Sequence, residues 1–373
     1  MRFSDIPGNS HVKERLRDMV ATDRLPHALV LEGPGGLGKF ALARTLAQYI
    51  HCTHRTPDGE PCGRCPSCVQ HTTFNHVDTI FSFPVIKAGR SVALSDDFME
   101  PFRQMLGESP LMNIARWQNA LGNANAQPVM YVEESQDIMR KLSFESHAAD
   151  RKIVLMWLPE RMNPQCANKM LKLIEEPLPG VMLIMASDNP REILPTIYSR
   201  LQRVEVPRLT DDETAAWLIS AGADEAEARA AARLAAGSPG RALDIVSSGG
   251  DEARFLEIFA QLMRAAYRRD VAALKKWSND NAALGREGLV RLMAYCQRMT
   301  RENFTANLAM PQLLAMTQGE TAFSSRFAPF INTRNVEGMM TVFDKAAADI
   351  AANANTKIVL FDVAVKIILL IKK

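Results

Sequence analysis

The sequence has almost no net charge: 44 lysines and arginines stand against 42 aspartates and glutamates, a formal +2. That balance excludes the strong, salt-sensitive attraction to phosphate that a self-sufficient DNA binder needs, so DNA contacts are expected to be local or made through partners. Long apolar runs are also missing. The first residues, MRFSDIPGNS, hold no signal segment, and the apolar stretch from Lys357 to Ile371 is interrupted by Asp362 and Lys366. The chain therefore reads as cytoplasmic, with no membrane partner. Internal repeats and low-complexity tracts are absent, and the stretch from Ala215 to Ala236 reads as a pair of small-residue helices. Cysteine is scarce, six in 373 residues, yet four fall between Cys52 and Cys68. In a reducing compartment such crowding points to metal rather than disulfides. Cys166 and Cys296 lie in helical patterns and read as inert core thiols.

What is present is enough apolar residue, 47%, to bury a large core, and a length that suggests two or three domains. Up to about Val206, short apolar runs (Ala28 to Leu31, Lys152 to Leu158, Val181 to Ala186) alternate with amphipathic stretches. That alternation predicts an α/β domain with a mostly parallel sheet. Asn163 and Pro164 form an N-cap and first-turn proline ahead of QCANKMLKLIEE, which Pro177 ends. Thr210 with Glu213, and Asp224 with Glu227, then open two short helices of a small module ending near Gly249 and Gly250. From Asp251 onward the pattern is helical throughout, with FLEIFAQLMRAAY, EGLVRLMAYCQRM and KIVLFDVAVKIILLI as its most apolar faces.

The segment LVLEGPGGLGK, Leu29 to Lys39, runs from an apolar strand through a glycine-rich turn to a helix. In that context Gly33, Gly35 and Gly38 let backbone N–H groups converge on phosphate, and Lys39 reaches it. A glycine-rich turn that binds nothing remains the alternative. The next position should supply a hydroxyl for Mg²⁺, and it is Phe40. A later strand should end on acidic residues, yet IVLMWLPERMN places Trp157 and Leu158 there, with Glu160 displaced past Pro159. Two independent metal-binding positions are thus apolar, which argues that hydrolysis has been abandoned. Cys52, Cys62, Cys65 and Cys68 form C-x9-C-x2-C-x2-C, with Gly59, Pro61, Gly63 and Pro66 supplying tight turns. Four thiolates at this spacing close a tetrahedral zinc site with no open position, and an iron–sulfur cluster is the alternative. His51, His54 and His71 are expected at the surface.

RLPHALVLEGPGGLGK at Arg24 to Lys39, the cysteine module, NKMLKLIEEPLPG at Asn168 to Gly180 and LPTIYSRLQ at Leu194 to Gln202 together resemble the bacterial clamp-loader AAA+ family, within it the delta-prime branch. The likeness covers the first 245 residues or so by motif, and the rest by architecture. It implies an AAA+ base domain with a parallel sheet and zinc module over residues 1–206. A helical lid follows over 207–250, then an all-α collar over 251–373 through which five subunits form a ring. The stretch from about 74 to 128 exceeds the family pattern, and both a partner-binding insertion and a loosely packed lineage-specific elaboration fit it. The implied partners are delta and gamma/tau subunits, with the sliding clamp and primer–template DNA engaged by the assembled complex. Arg200 matches the arginine that reaches a neighbour's ATP site, although Leu201 replaces the family's cysteine. Ser187 falls near a sensor position, and the lid's sensor arginine would align near Gly240, with Arg241 one place off. Delta-prime subunits commonly lack working ATPase motifs, so ADP or ATP would bind weakly or not at all and no hydrolysis is expected. Two other readings are an active ATPase motor of the same loader and a DNA-reading zinc finger. Phe40, Trp157 and Leu158 oppose the first, and the missing basic recognition helix opposes the second. For Arg200 the plain alternative is a surface ion pair.

Overall fold

Three apolar runs become central strands because both of their faces are covered. In chain order the first unit, Met1–Leu243, contains α1 (Ser10–Ala21), β1 (Ala28–Glu32), α2 (Lys39–His51), α3 (Pro66–Thr72), β2 (Thr79–Ser82), α4 (Met99–Glu108), α5 (Ile114–Ala120) and α6 (Val132–Leu142). It continues through β3 (Lys152–Trp157), α7 (Pro164–Glu175), β4 (Val181–Ser187), α8 (Pro195–Tyr198), β5 (Gln202–Glu205), α9 (Asp211–Ser220) and α10 (Glu225–Ala235) to the start of α11 (Pro239–Ser247). This computed structural model describes residues 1–87, 89–122, 127–144, 149–247, 251–308 and 314–372. The expected module end at Gly249 and Gly250 lies outside them.

The strands form one parallel sheet in the order β2-β3-β4-β1-β5. Successive side chains of a strand point to opposite faces. Leu29, Leu31, Leu155, Trp157 and Ile184 accordingly join one core with Leu16, Phe40, Leu42 and Phe102, while Val30, Val154, Met156, Leu183 and Met185 join another with Ile138, Met170 and Ile174. A parallel sheet covered on both faces is why these strands are continuously apolar. The chain leaves β1 towards the β2 edge and leaves β4 towards β5, so the crevice at the carboxyl ends of β1 and β4 is the switch point where α/β sheets place ligands.

The stretch from 74 to 128 is not set apart from this sheet: it supplies β2, and an antiparallel bridge between Val85 and Val129 closes the excursion that follows. Phe83, Phe102 and Trp117 are fully buried within it, with the Phe83 and Phe102 rings stacked at 3.7 Å and Trp117 donating to the Pro84 carbonyl. It is ordered core.

The expected caps form. Asn163 accepts from the Cys166 amide, Thr210 and Glu213 make a reciprocal capping box, and Asp224 accepts from the Ala226 and Glu227 amides. The second unit, Asp244–Lys373, contains α12 (Asp251–Arg268), α13 (Val271–Asn281), α14 (Gly285–Ala306), α15 (Gln318–Phe327), α16 (Val336–Ala351) and α17 (Thr356–Leu370) around its own core of Phe259, Leu292, Met299, Phe343 and Leu360. Arg298 and Glu320 form a buried ion pair there, to which the Tyr295 hydroxyl donates. Among the described residues no helix is long and apolar enough to cross a membrane.

Candidate functional site

The glycine-rich turn leaves β1 at the switch point, and its backbone has the shape its glycines allow. Gly33, Gly36 and Gly38 have φ of 150°, 79° and 76°, values that disfavour any residue with a Cβ. The loop is nevertheless filled from three sides. Lys39, 3% exposed, directs its ammonium not outward but to the Asp188 carboxylate at 2.8 Å and the Pro34 carbonyl at 2.5 Å. Asp188 follows the last residue of β4, which is in register with the last residue of β1. Its other carboxylate oxygen would stand 3.1 Å from a Cβ added at Gly35, in the mouth of the loop. Leu111, from the excursion after β2, lies 3.3 Å from where a Gly38 Cβ would be, with Ile6 at 3.2 Å beside it. On the third side the Gly240 amide donates to the Gly36 carbonyl at 2.9 Å, and the Ser238 hydroxyl donates to the Gly35 carbonyl at 3.1 Å. The space left among Gly36, Gly38, Lys39, Pro110, Met112 and Asp188 is about 10 Å³, room for at most one water.

The positions that should hold Mg²⁺ are core. The Phe40 ring packs at 6.4 Å from Trp157 and 5.9 Å from Phe102, and Trp157 and Leu158 are each 2% exposed. Glu160 serves the backbone instead: one of its oxygens accepts from the Asp188 and Asn189 amides, and burial together with the nearby Asp188 charge raises its pKa. Ser187 is buried at the end of β4.

Cys52, Cys62, Cys65 and Cys68 come together with all four sulfurs within 4.8 Å of one another, Cys62 and Cys68 at 3.9 Å. A tetrahedron with metal–sulfur bonds of about 2.3 Å has sulfurs about 3.8 Å apart, so the cluster fits one ion. The Cys62 amide points at the Cys52 sulfur, the Cys65 amide at Cys62 and the Cys68 amide at Cys65, at 3.3–3.4 Å. N–H donors of this kind stabilise thiolates. Burial alone would raise the Cys65 pKa, yet the Cys68 and Thr53 donors bring it down to about 6, while burial pushes Cys68 up to about 12. The buried Gln48 amide nitrogen, with no other partner, stands beside Cys68, a group waiting for a sulfur that carries charge. The module also fastens the chain's beginning: Glu60 accepts from the Phe3 and Ser4 amides and pairs with Arg17 at 2.7 Å.

His51 and His71 are not at the surface. Both are buried, and with His76, on which each stacks, they form a trio at ring separations of 4.3–5.2 Å; of the three expected at the surface, His54 is exposed. Hydrogen bonds make their burial tolerable. His51 pairs with His71 at 2.9 Å and with the Arg151 carbonyl at 2.9 Å, and His76 pairs with Ser67 and receives the Asp78 amide. Burial lowers their pKa values, to about 4 for His51 and about 2 for His71, so the trio is neutral. Through His51, His71 and the Arg151 carbonyl the trio ties α3 to the end of α2 and to the residue before β3, and one nitrogen of each ring lies within 4.8 Å of the others.

Arg200 stands at an exposed end beyond α8, pairing with Glu175 at 2.8 Å and donating to the Thr196 carbonyl at 2.8 Å. The ion pair foreseen as the plain alternative is therefore present.

Residues 8–210, more than half of the chain, match the family described as DNA polymerase III, delta subunit. The chain belongs to this clamp-loader family. It is similar to DNA polymerase III subunit delta′ of Pseudomonas aeruginosa, 28% identical over 230 residues that cover 61% of this chain and 58% of the relative. The delta′ subunit of Haemophilus influenzae is 25% identical over 65% of this chain and 61% of its own length. Subunit tau of Bacillus subtilis is 25% identical over 56% of this chain and 30% of its own. The chain thus spans less than two thirds of each of these relatives.

Proposed function

We propose that the chain is a delta-prime-type stator of the DNA polymerase III clamp loader: an AAA+ subunit that does not hydrolyse ATP but supplies Arg200 to the ATP site of a neighbouring subunit. The observation that carries this reading is the contrast within one domain. The chain's own phosphate loop is closed and its metal positions lie in an aromatic core, whereas Arg200 remains exposed. In this reading residues 1–206 form the base, 207–250 the lid and 251–373 the collar of a five-membered ring with delta and gamma/tau subunits in the cytoplasm. The ring then engages the sliding clamp and primer–template DNA. Cys52, Cys62, Cys65 and Cys68 hold one structural zinc, whose four filled positions leave none for catalysis.

An arginine supplied in trans stabilises charge on the transferred phosphoryl group and is worth about 10³ to 10⁵ in rate at a single site. The whole-ring effect is smaller, because the chain serves one of several sites. The surface pair with Glu175 holds Arg200 by no more than about 1 kcal/mol, so a phosphate can displace it. Arg200→Ala in the reconstituted loader should leave zinc content and ring assembly intact and lower clamp- and DNA-stimulated ATP hydrolysis. Arg200→Lys should restore little, since an ammonium lacks the planar fork. Normal clamp loading by the alanine variant would reduce Arg200 to an ion-pair residue.

A further inference from the structure

We infer that the phosphate loop works here as a nucleotide-free joint: the Asp188 carboxylate fills its anion position, and the start of α11 takes its outer carbonyls, fastening the helical module to the sheet. Each half of the joint uses a group that nucleotide binding would need. The Lys39 ammonium, which would neutralise phosphate, is neutralised by Asp188. The mouth at Gly35, where a phosphate oxygen would rest, faces the Asp188 carboxylate instead. The anion is thus built into the chain.

The second half is geometric. The first N–H groups of a helix have no partner within the helix and ordinarily face water or a ligand. Gly240 is the second residue of α11, and its amide meets the Gly36 carbonyl at 2.9 Å. Two glycines make the approach possible. A Cβ on Gly240 would stand 2.9 Å from the Gly36 Cα, and one on Gly36 would stand 2.5 Å from the Ser238 hydroxyl oxygen. Ser238, 5% exposed, completes the clasp by donating to Gly35. The lid position where the family pattern calls for an arginine therefore has a different use: glycine lets backbone meet backbone where a longer side chain would reach towards nucleotide. Leu111 seals the remaining side at Gly38. This joint is a property of the chain alone and stands whether or not Arg200 serves a neighbour.

Hydrogen exchange of the full-length chain tests it, with the Gly240 amide as reporter. An ordinary helix start exchanges freely, so the joint requires Gly240 to be protected in the absence of nucleotide and equally protected with millimolar Mg·ADP or Mg·ATP. Ser238→Ala, which removes the bond to Gly35 and the longer one accepted from the Arg241 amide, should speed exchange at Gly240 by about five- to fiftyfold while protection in β1 and β4 is unchanged. Free exchange at Gly240 in the unmodified chain would overturn the inference. So would a nucleotide-induced slowing, because the nucleotide and not the chain would then be closing the joint. Both results come from the unmodified protein, so a poorly folding variant does not blunt the test.

Discussion

Replacing Lys39 with alanine separates a structural lysine from a phosphate-binding one. In an open phosphate loop the ammonium awaits its ligand, and its loss lowers nucleotide affinity with little effect on the free protein's stability. Here the lysine side chain is 3% exposed and its partner Asp188 is 29% exposed. Removing one member of a fully buried pair costs about 3–5 kcal/mol, whereas an exposed pair is worth about 1 kcal/mol or less. Asp188 retains some water, so the loss lies between these limits, and the bond to Pro34 adds to it; about 2 kcal/mol is expected. For a unit of this size each kcal/mol lowers the melting temperature by about 2–4 °C, so Lys39→Ala should lower that of the first unit by about 4–8 °C. Calorimetry without nucleotide reads this directly. A double-mutant cycle with Asp188→Ala should return a coupling of about 1–2 kcal/mol. A Lys39→Ala variant within about 0.5 kcal/mol of the unmodified chain would refute the reasoning, since that is the effect of an ordinary surface substitution.

Metal analysis should find one zinc per chain, and Cys65→Ser should release it and destabilise the first unit without selectively affecting DNA binding by the loader; iron, or four freely reactive thiols in folded protein, would remove the zinc assignment. Phe40→Ser should not yield ATP turnover and should cost about 3 kcal/mol or more, because it empties the space among Phe81, Phe102 and Trp157; robust hydrolysis by the variant or by the unmodified chain would return the motor reading. In the second unit, burial raises the Glu320 carboxyl pKa but its bonds with Arg298 outweigh that and hold it below the usual value. Its folded pKa lies below the unfolded one, so the stability it contributes is full at neutral pH and is lost as the pH falls through the carboxylate range towards the folded value. Glu320→Gln should cost about 3 kcal/mol at neutral pH by stranding the 7% exposed Arg298, and should flatten the acid side of the unfolding curve; an unchanged acid midpoint would show that other carboxylates govern it.

The strands that could be read from the sequence are those buried on both faces. β1, β3 and β4 are apolar except at one end each, Glu32, Lys152 and Ser187, whereas β5 has the single buried residue Val204 and β2 is only four residues long. β5 is an exposed sheet edge, where burial does not force a continuous apolar run, and β2, though buried, carries Thr79 and Ser82 and is too short to show a period. Helix starts were legible because capping chemistry is local: Asn163, Thr210 and Asp224 satisfy amides two or three residues away. The closure of the phosphate loop was not legible, because Leu111, Asp188, Ser238 and Gly240 meet it from distant parts of the chain and only the fold brings them together. The apolar pair Leu111-Met112 within polar SPLMN was a usable signal of an anchor. For the histidines there was none: the spacing of His51, His71 and His76 follows no helical or strand period, and a buried neutral imidazole has the same letter as an exposed one.

Phe40 and Trp157 count as two losses in the sequence, but they form one packing arrangement. A working site would couple their positions through a shared magnesium ion; here their rings meet directly at 6.4 Å, and Phe102 from the excursion after β2 lies 5.9 Å from each. A hydroxyl restored at Phe40 would face Trp157 and Phe102, and a carboxylate restored at Trp157 would be buried beside Phe40, each without a partner and at the cost of desolvation. Either single reversion is therefore worse than none. Even both together would leave Leu111 over Gly38 and Asp188 on Lys39. The excursion after β2 is thus part of the same packing arrangement: through Phe102 it supplies apolar surface that makes an aromatic core, rather than a hydrated ion, the stable occupant of that crevice.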